Sequence, residues 1–379
     1  MIPFNKPYMT GKEMHYIYDA VYSGKISGDG KYTKKCQDFF QDNYGFKKCL
    51  LTSSCTDALE MSAILLDIKE NDEIIMPSFT FVSTANAFVL RGANIVFCDS
   101  RKDHPGMDED SIESLITKKT KAIVVVHYAG VACDMDKIMN IAYKYNLFVV
   151  EDAAQAIDSF YYSKEKDKKI ALGKIGHLAA FSFHETKNII SGEGGMLIIN
   201  DDKFIARAEI IWEKGTNRSS FYRGEVDKYG WVDIGSSFLP SDIIAAFLWA
   251  QLENLEIIQK RRRVVWDFYY NNLSEWANQN RVKLPYIPNY STNNAHMFYL
   301  IFHSLNDRQS FIETLKKNDV FSVFHYQSLH ESEFYLKNQK NKKFELKFTE
   351  FYSDHLVRLP FYYEIDEQQV VNSVLNITL

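Results

Sequence analysis

The sequence is short of the features that most quickly mark a protein's class. Proline is scarce, at 8 in 379 residues, and glycine numbers only 17, which excludes collagen-like and low-complexity disordered chains. The five cysteines (Cys36, Cys49, Cys55, Cys98 and Cys133) form no CxxC pair and no cluster with histidines. That odd, scattered set excludes a disulfide framework and a zinc site, and fits reduced thiols in a cytosol. Neither sign of charge dominates. Lys+Arg is 44 against Asp+Glu 49, a formal net charge of −5, so there is no general attraction to nucleic acid or to an acidic membrane. Long apolar runs are missing as well. Ile74 to Leu90 is free of charge but carries Pro77, Ser78, Thr80, Ser83, Thr84 and Asn86, and is too polar and too short to span a bilayer. No apolar run follows the N-terminal charges, so no signal peptide is expected and the expected location is cytoplasmic. No GxGxxG opens a helix, which sets aside a nicotinamide-dependent reductase.

What is present is a pattern. Between about residues 48 and 200, apolar runs (Ile74–Met76, Ile95–Phe97, Ile123–Val126, Phe148–Val150) alternate with helix-like stretches at Asp57–Asp67, Thr84–Leu90, Asp110–Ile116 and Asp136–Tyr145. This alternation predicts a mostly parallel sheet with helices on both faces, a class that binds ligands at the carboxyl ends of its strands. Ile244, Leu248, Leu252, Leu255 and Ile258 share one helical face, predicting a long helix over Asp242–Gln259, and the following Lys260-Arg261-Arg262-Arg263 reads as a solvated face. From about residue 265 the elements shorten and Tyr, Phe and Asn become denser, as in a smaller α+β domain. The expected division is 1–250 for a large domain with an N-terminal segment, and 251–379 for the small one.

Three places after strands could carry chemistry. Cys49-Leu50-Leu51 runs into Thr52-Ser53-Ser54-Cys55-Thr56-Asp57 and then a helix. A hydroxyl-rich turn at a helix N-terminus is a ready phosphate site, with capping by Ser54 or Thr56 as the plainer alternative. Phe148-Val149-Val150 is followed by Glu151-Asp152-Ala153-Ala154-Gln155. Asp152 there is either a helix cap or a buried carboxylate for a protonated ring nitrogen, with Gln155 on the same helix face. The third is Ser182-Phe183-His184-Glu185-Thr186-Lys187, followed by Ser191-Gly192-Glu193-Gly194-Gly195 and a strand. Each is weak alone; their order is not.

That order resembles the DegT/DnrJ/EryC1/StrS family of sugar aminotransferases, which use pyridoxal 5′-phosphate (PLP) on an aspartate-aminotransferase-like α/β fold (PLP fold type I). The likeness extends over the opening Ile2–Pro7, Pro77–Thr84, Val126–Gly130, Glu151–Gln155, Phe181–Gly195, Ala295–Tyr299 and His325–His330. It implies Lys187 as the lysine that bonds the cofactor and moves the proton, Asp152 at the pyridine nitrogen, Gln155 near the phenolic oxygen and Phe81 on the ring face. Thr56, the Asp57 backbone N–H and Ser182 would hold the phosphate, with Ser237 reaching a neighbouring subunit's cofactor. His325 and His330 are candidate substrate contacts, and no metal is implied.

Ser23–Gly30, His184–Asn188 and Gly235–Leu239 resemble the branch that forms dTDP-4-amino-4,6-dideoxygalactose. For this chain that implies L-glutamate and dTDP-4-keto-6-deoxyglucose as substrates, a homodimer with shared active sites, and a role in surface polysaccharide synthesis such as lipopolysaccharide or enterobacterial common antigen. Amination at C3, or at C4 to the gluco epimer, is the neighbouring alternative. A PLP-dependent sugar dehydratase is less favoured, because Lys187 is present where that class carries histidine. Cys55, Ser237 and Leu239 depart from the Gly, Asn and Arg more common in the family.

Overall fold

Short β-branched runs can be buried on both faces only where helices cover each side of the sheet. That is the arrangement in a computed structural model of the chain, which describes residues 1–338 and 344–378. Its strands are β1 (Lys48–Thr52), β2 (Glu73–Pro77), β3 (Asn94–Cys98), β4 (Thr120–Val126), β5 (Phe148–Asp152), the hairpin β6 (Phe160–Ser163) and β7 (Lys168–Ala171), β8 (Leu178–Ser182) and β9 (Gly195–Ile199). Seven of them form one sheet in the order β1-β9-β8-β5-β4-β2-β3. Only β9 runs against the rest of that sheet, pairing antiparallel with both β1 and β8. The expected runs are all strands. Alternate residues supply two cores: Ile123 and Val125 of β4 face one hydrophobic cluster, while Ala122 and Val124 face the other.

A second, antiparallel sheet follows, of β10 (Tyr299–Ile301), β11 (Val323–Phe324) and β12 (Leu356–Arg358), with β12 in the middle. It shares a third hydrophobic cluster with Val265, Trp266, Tyr269 and Leu273 of the helix Leu255–Gln279. Ile2 belongs to that cluster and bridges to Val320, so the first residues pack with the C-terminal part rather than with the large sheet. The expected helix over Asp242–Gln259 is in fact two, Asp242–Leu252 and Leu255–Gln279. The break lies at Glu253–Asn254, where Asn254 Nδ2 donates back to the Ala250 carbonyl at 2.9 Å and competes with the helical ladder.

The basic run after the break is only partly a solvated face. Arg262 is buried, donating to the carbonyls of Ala295 (3.0 Å) and His296 (2.6 Å), with its guanidinium over the Phe361 ring. Arg261 pairs with Glu367, while Lys260 and Arg263 are exposed. Helical periodicity splits the run, because position 262 falls on the inward face. Among the described residues no helix is long and apolar enough to cross a membrane.

Candidate active site

The carboxyl ends of β5 and β8 and the turn after β1 open on the same side of the sheet. β5 ends at Asp152, β8 at Ser182, and β1 leads through Ser53 and Ser54 into the helix Cys55–Leu65. Gly195, at the start of β9, pairs with both Thr52 and Ser182. A Cβ at this glycine would collide with the Ser54 and Cys55 backbone, so the turn and the strand meet only because it has none. The resulting cleft holds about 380 Å³ and is lined by Thr56, Phe81, Asp152, Gln155, Ser182 and Lys187, with His325 and Arg358 from the smaller sheet.

Asp152 is 5 % exposed. Its carboxylate accepts from Thr84 Oγ1 at 2.7 Å and from the Ala154 N–H at 3.2 Å, leaving lone pairs open toward the cleft. Burial raises its pKa above the usual carboxylate value, against the pull of those two donors and of Lys187. No helix follows β5, so Asp152 caps nothing, and Gln155 is not aligned with it on a helix. A turn brings Gln155 round instead: its Oε1 accepts from the Ala129 N–H at 2.6 Å and its Nε2 donates to Tyr326 Oη at 3.2 Å.

Lys187 is half-buried, and its ammonium donates to no acceptor among the described residues. Burial lowers its pKa, Arg358 adds to the lowering, and Cys55 and Asp152 oppose it. The next residue anchors its loop. Asn188 Nδ2 donates to Gln259 Oε1 and the Asn294 carbonyl, and Asn188 Oδ1 is 2.7 Å from His296 Nδ1. Asn5 adds a bond to the Glu185 carbonyl at 3.1 Å. An unpaired lysine on a well-anchored loop, in the same cleft as a buried carboxylate, is an arrangement for chemistry rather than for folding stability.

The groups present fit PLP. Thr56, Ser182 and the helix Cys55–Leu65, whose first N–H groups have no intrahelical acceptor, offer hydroxyl and backbone donors for a phosphate. Phe81, more than half exposed at the cleft wall, offers an aromatic face. Asp152 offers a carboxylate for a pyridinium, and Lys187 an amine for an aldehyde.

Three expected residues stand elsewhere. The Asp57 N–H donates to Ser54 Oγ at 3.0 Å, so Ser54 is the cap and that N–H is already engaged. His330 is buried outside the cleft, with Nδ1 2.8 Å from Ser78 Oγ and Nε2 3.4 Å from Glu350. Ser237 is exposed and lines a second cleft of about 1040 Å³ with Lys25, Trp212 and Arg218. Sequence reasoning passed over Thr84, Tyr326, His296 and Arg358. Thr84, His296 and Tyr326 lay inside the resembling segments without a role of their own, and Arg358 left a separate signal: a single charge inside Leu356-Val357-Arg358-Leu359-Pro360-Phe361, where an apolar strand would bury it.

Comparison with known proteins places the chain in a family. The profile of the DegT/DnrJ/EryC1/StrS aminotransferase family matches residues 7–377. An uncharacterized protein of Methanocaldococcus jannaschii is 33% identical over 380 residues, covering 98% of this chain and 96% of that protein. A GDP-perosamine synthase of Escherichia coli O157:H7 is 35% identical over 274 residues, covering 72% of this chain and 71% of that protein. Among solved structures, the aminotransferase TlmJ from Streptoalloteichus hindustanus superposes with a TM-score of 0.89 at 25% identity, covering 99% of this chain and 98% of that one. The chain is a PLP-dependent sugar aminotransferase and belongs to the DegT/DnrJ/EryC1/StrS aminotransferase family.

Proposed function

We propose that the chain moves the amino group of L-glutamate to C4 of dTDP-4-keto-6-deoxyglucose, giving dTDP-4-amino-4,6-dideoxygalactose for a surface polysaccharide. The observation that carries the chemistry is the unpaired Lys187 lining the same cleft as the buried Asp152 carboxylate. The sugar rests on Ser23–Gly30, His184–Asn188 and Gly235–Leu239, which resemble the galactose-forming branch. A second reading has its own support, since relatives in Escherichia coli O157:H7 and Caulobacter vibrioides are named GDP-perosamine synthase. Perosamine is itself a 4-amino-4,6-dideoxyhexose, so C4 amination is common to both readings. They part at the nucleotide and at the configuration of the sugar.

When bound, PLP supplies an electrophilic aldehyde and an electron-accepting ring. The residues of the chain do the rest. Asp152, held by Thr84 and Ala154, would be the carboxylate that pairs with the ring nitrogen and favours a proton there. Lys187, with its pKa lowered by burial, is poised to give up its proton; as a free amine its Nζ takes a proton from the donor's Cα and later returns one to C4 of the sugar. Gln155, fixed by the Ala129 N–H, would hold its amide toward the cofactor from the cleft wall. Thr56 and Ser182 would hold the phosphate end.

A homodimer with shared sites belongs to the same reading. Ser237 lies in the second cleft, and Trp231, Val232 and Ile234 just before it are exposed apolar side chains of the kind that seek a partner surface. The test is NMR identification of the product from the PLP-loaded enzyme, L-glutamate and either dTDP-4-keto-6-deoxyglucose or GDP-4-keto-6-deoxymannose. An axial C4 amine on the dTDP sugar supports the reading. Turnover of the GDP sugar alone replaces it with the second one.

A further inference from the structure

Among the described residues three histidines line the cleft, and their ring nitrogens are settled differently. His184 Nδ1 accepts from the Thr186 N–H at 3.3 Å, so its proton sits on Nε2, 3.7 Å from the Glu193 carboxylate. His325 Nδ1 is 3.0 Å from Tyr128 Oη, and its Nε2 accepts from Arg358 Nη1 at 3.3 Å. His296 is the exception. Its Nδ1 lies 2.7 Å from Asn188 Oδ1, while its Nε2 has no partner among the described residues.

Neighbouring amides decide where the His296 proton is. Asn188 Nδ2 donates to Gln259 Oε1 at 2.8 Å and to the Asn294 carbonyl at 2.9 Å, which uses both of its N–H groups. Gln259 Nε2 is turned to the Asp158 carboxylate at 3.4 Å and the Asn294 carbonyl at 3.3 Å. Flipping either amide would set oxygen against oxygen. Asn188 Oδ1 therefore accepts, His296 Nδ1 carries the proton, and Nε2 is a bare lone pair. Burial pushes the pKa of this imidazole well below its ordinary value, and Lys187 is the foremost of the charges that add to the shift. The ring is neutral, 3 % exposed and held by the residue next to Lys187.

We propose that His296 Nε2 holds the Lys187 amine, by accepting one of its N–H groups, whenever the lysine is not bonded to the cofactor. The inference rests on the reading above, in which Lys187 carries the proton, and not on which sugar receives the amine. An unmatched donor and an unmatched acceptor line one cleft. A free amine rotates, and one N–H fixed by an acceptor aims its lone pair, here toward Cα of the amino donor. Other acceptors of the cleft are engaged. Gln155 Oε1 takes the Ala129 N–H, Tyr326 Oη takes the Gln155 amide, and Ser182 Oγ takes the His184 N–H at 3.3 Å. Asp152 takes the Thr84 hydroxyl and is assigned to the ring nitrogen. His296 thus acts through Lys187, as a positioning residue.

Nitrogen NMR on enzyme carrying isotopically labelled histidine reads the bond directly. With pyridoxal phosphate loaded, Lys187 is tied to the cofactor and His296 Nε2 should resonate as a bare nitrogen. With pyridoxamine phosphate loaded, Lys187 is free and Nε2 should move toward a hydrogen-bonded nitrogen. The same change should be absent in Lys187→Ala. A proton on Nε2 in the first form, or one shift with and without Lys187, overturns the proposal.

Side chains of different reach separate positioning from packing. In His296→Asn the amide can replace Nδ1 at Asn188, and nothing replaces Nε2; in His296→Gln an amide oxygen reaches toward the Nε2 position. The half-reaction with L-glutamate, followed by stopped-flow absorbance, should slow by roughly 10-fold in His296→Asn, the worth of about one hydrogen bond. Half-saturation by L-glutamate should stay within about twofold of wild type, and His296→Gln should recover part of the rate. A His296→Asn enzyme with the wild-type rate, or a His296→Gln enzyme slower than it, overturns the proposal. If neither variant folds, the two loaded forms of wild type decide by NMR. A wild type that shows no glutamate half-reaction would defeat the reading of Lys187 and leave the nitrogen shift to judge His296 separately.

Discussion

Two adjacent carboxylates at the end of β5 face opposite sides of the sheet and lead different lives. Glu151 is fully buried and saturated. Its oxygens accept from the Ile175 and Gly176 N–H groups at 2.7 and 2.6 Å, from the Gly173 N–H at 2.7 Å, and from His127 Nε2 at 2.9 Å. Asp152 has the Thr84 hydroxyl and one N–H, and a side left open to the cleft and Lys187. Neighbouring residues of a strand point to opposite faces. The lesson is that saturation, rather than burial, separates a structural carboxylate from a chemical one. The same contrast sets Arg262, bonded to two carbonyls, against Arg358.

Substitutions can break this contrast. The largest effect should come from Lys187→Ala, which should lower transamination roughly 10³-fold or more while leaving far-UV circular dichroism unchanged. Retained turnover would remove the proton carrier from the mechanism. Next, Glu151→Ala should destabilise the fold by about 3–5 kcal/mol, because it leaves several buried donors without an acceptor. Urea unfolding would measure this, and a rate loss without a stability loss would put Glu151 in the chemistry instead. Asp152→Asn should cut the rate by roughly 10²-fold, within the range for a positioned proton-handling group, and should not destabilise the cofactor-free protein at neutral pH.

The pH dependence sharpens that last case. Burial raises the folded pKa of Asp152, so the stability it brings is complete below the ordinary carboxylate range and is lost as pH rises through the raised value. The cofactor-free Asp152→Asn variant lacks this loss. Its melting temperature should equal or exceed that of wild type at pH 8 and lose that advantage near pH 4, as calorimetric scans would show. The smallest effect should come from His330→Asn. With Nδ1 on Ser78 and Nε2 near Glu350, His330 should contribute about 1 kcal/mol of stability and nothing to the KM for either substrate. A raised KM would return it to the substrate contacts.

Much of the fold was legible because strands and their helices are local patterns. Ile123–Val126 and Phe148–Val150 are β-branched or aromatic runs that read as buried strands without any partner in view. Boundaries that depend on a single side chain were not. Asn254 ends a helix through one bond to Ala250, and the apolar spacing runs on across it. Lys187, Asp152, Gln155, Thr56, Ser182 and Phe81 were legible as a set, and the cleft brings them together. His325 and His330, only five positions apart, read alike in sequence, yet one lines the cleft and the other is locked to Ser78.

Sequence alone was sufficient for the order of strands and helices along the chain, the hydroxyl-rich turn after β1 and the loop that carries Lys187. These depend on residue type and spacing within a few neighbours. Tertiary structure was needed to set Thr84 on Asp152 across 68 residues, Tyr128 on His325 across 197, and the Arg358 guanidinium at a cleft built mostly by the other sheet. Hydrogen bonds are short and directional, so which groups are satisfied and which remain open is known only once distant segments are within about 3 Å of each other.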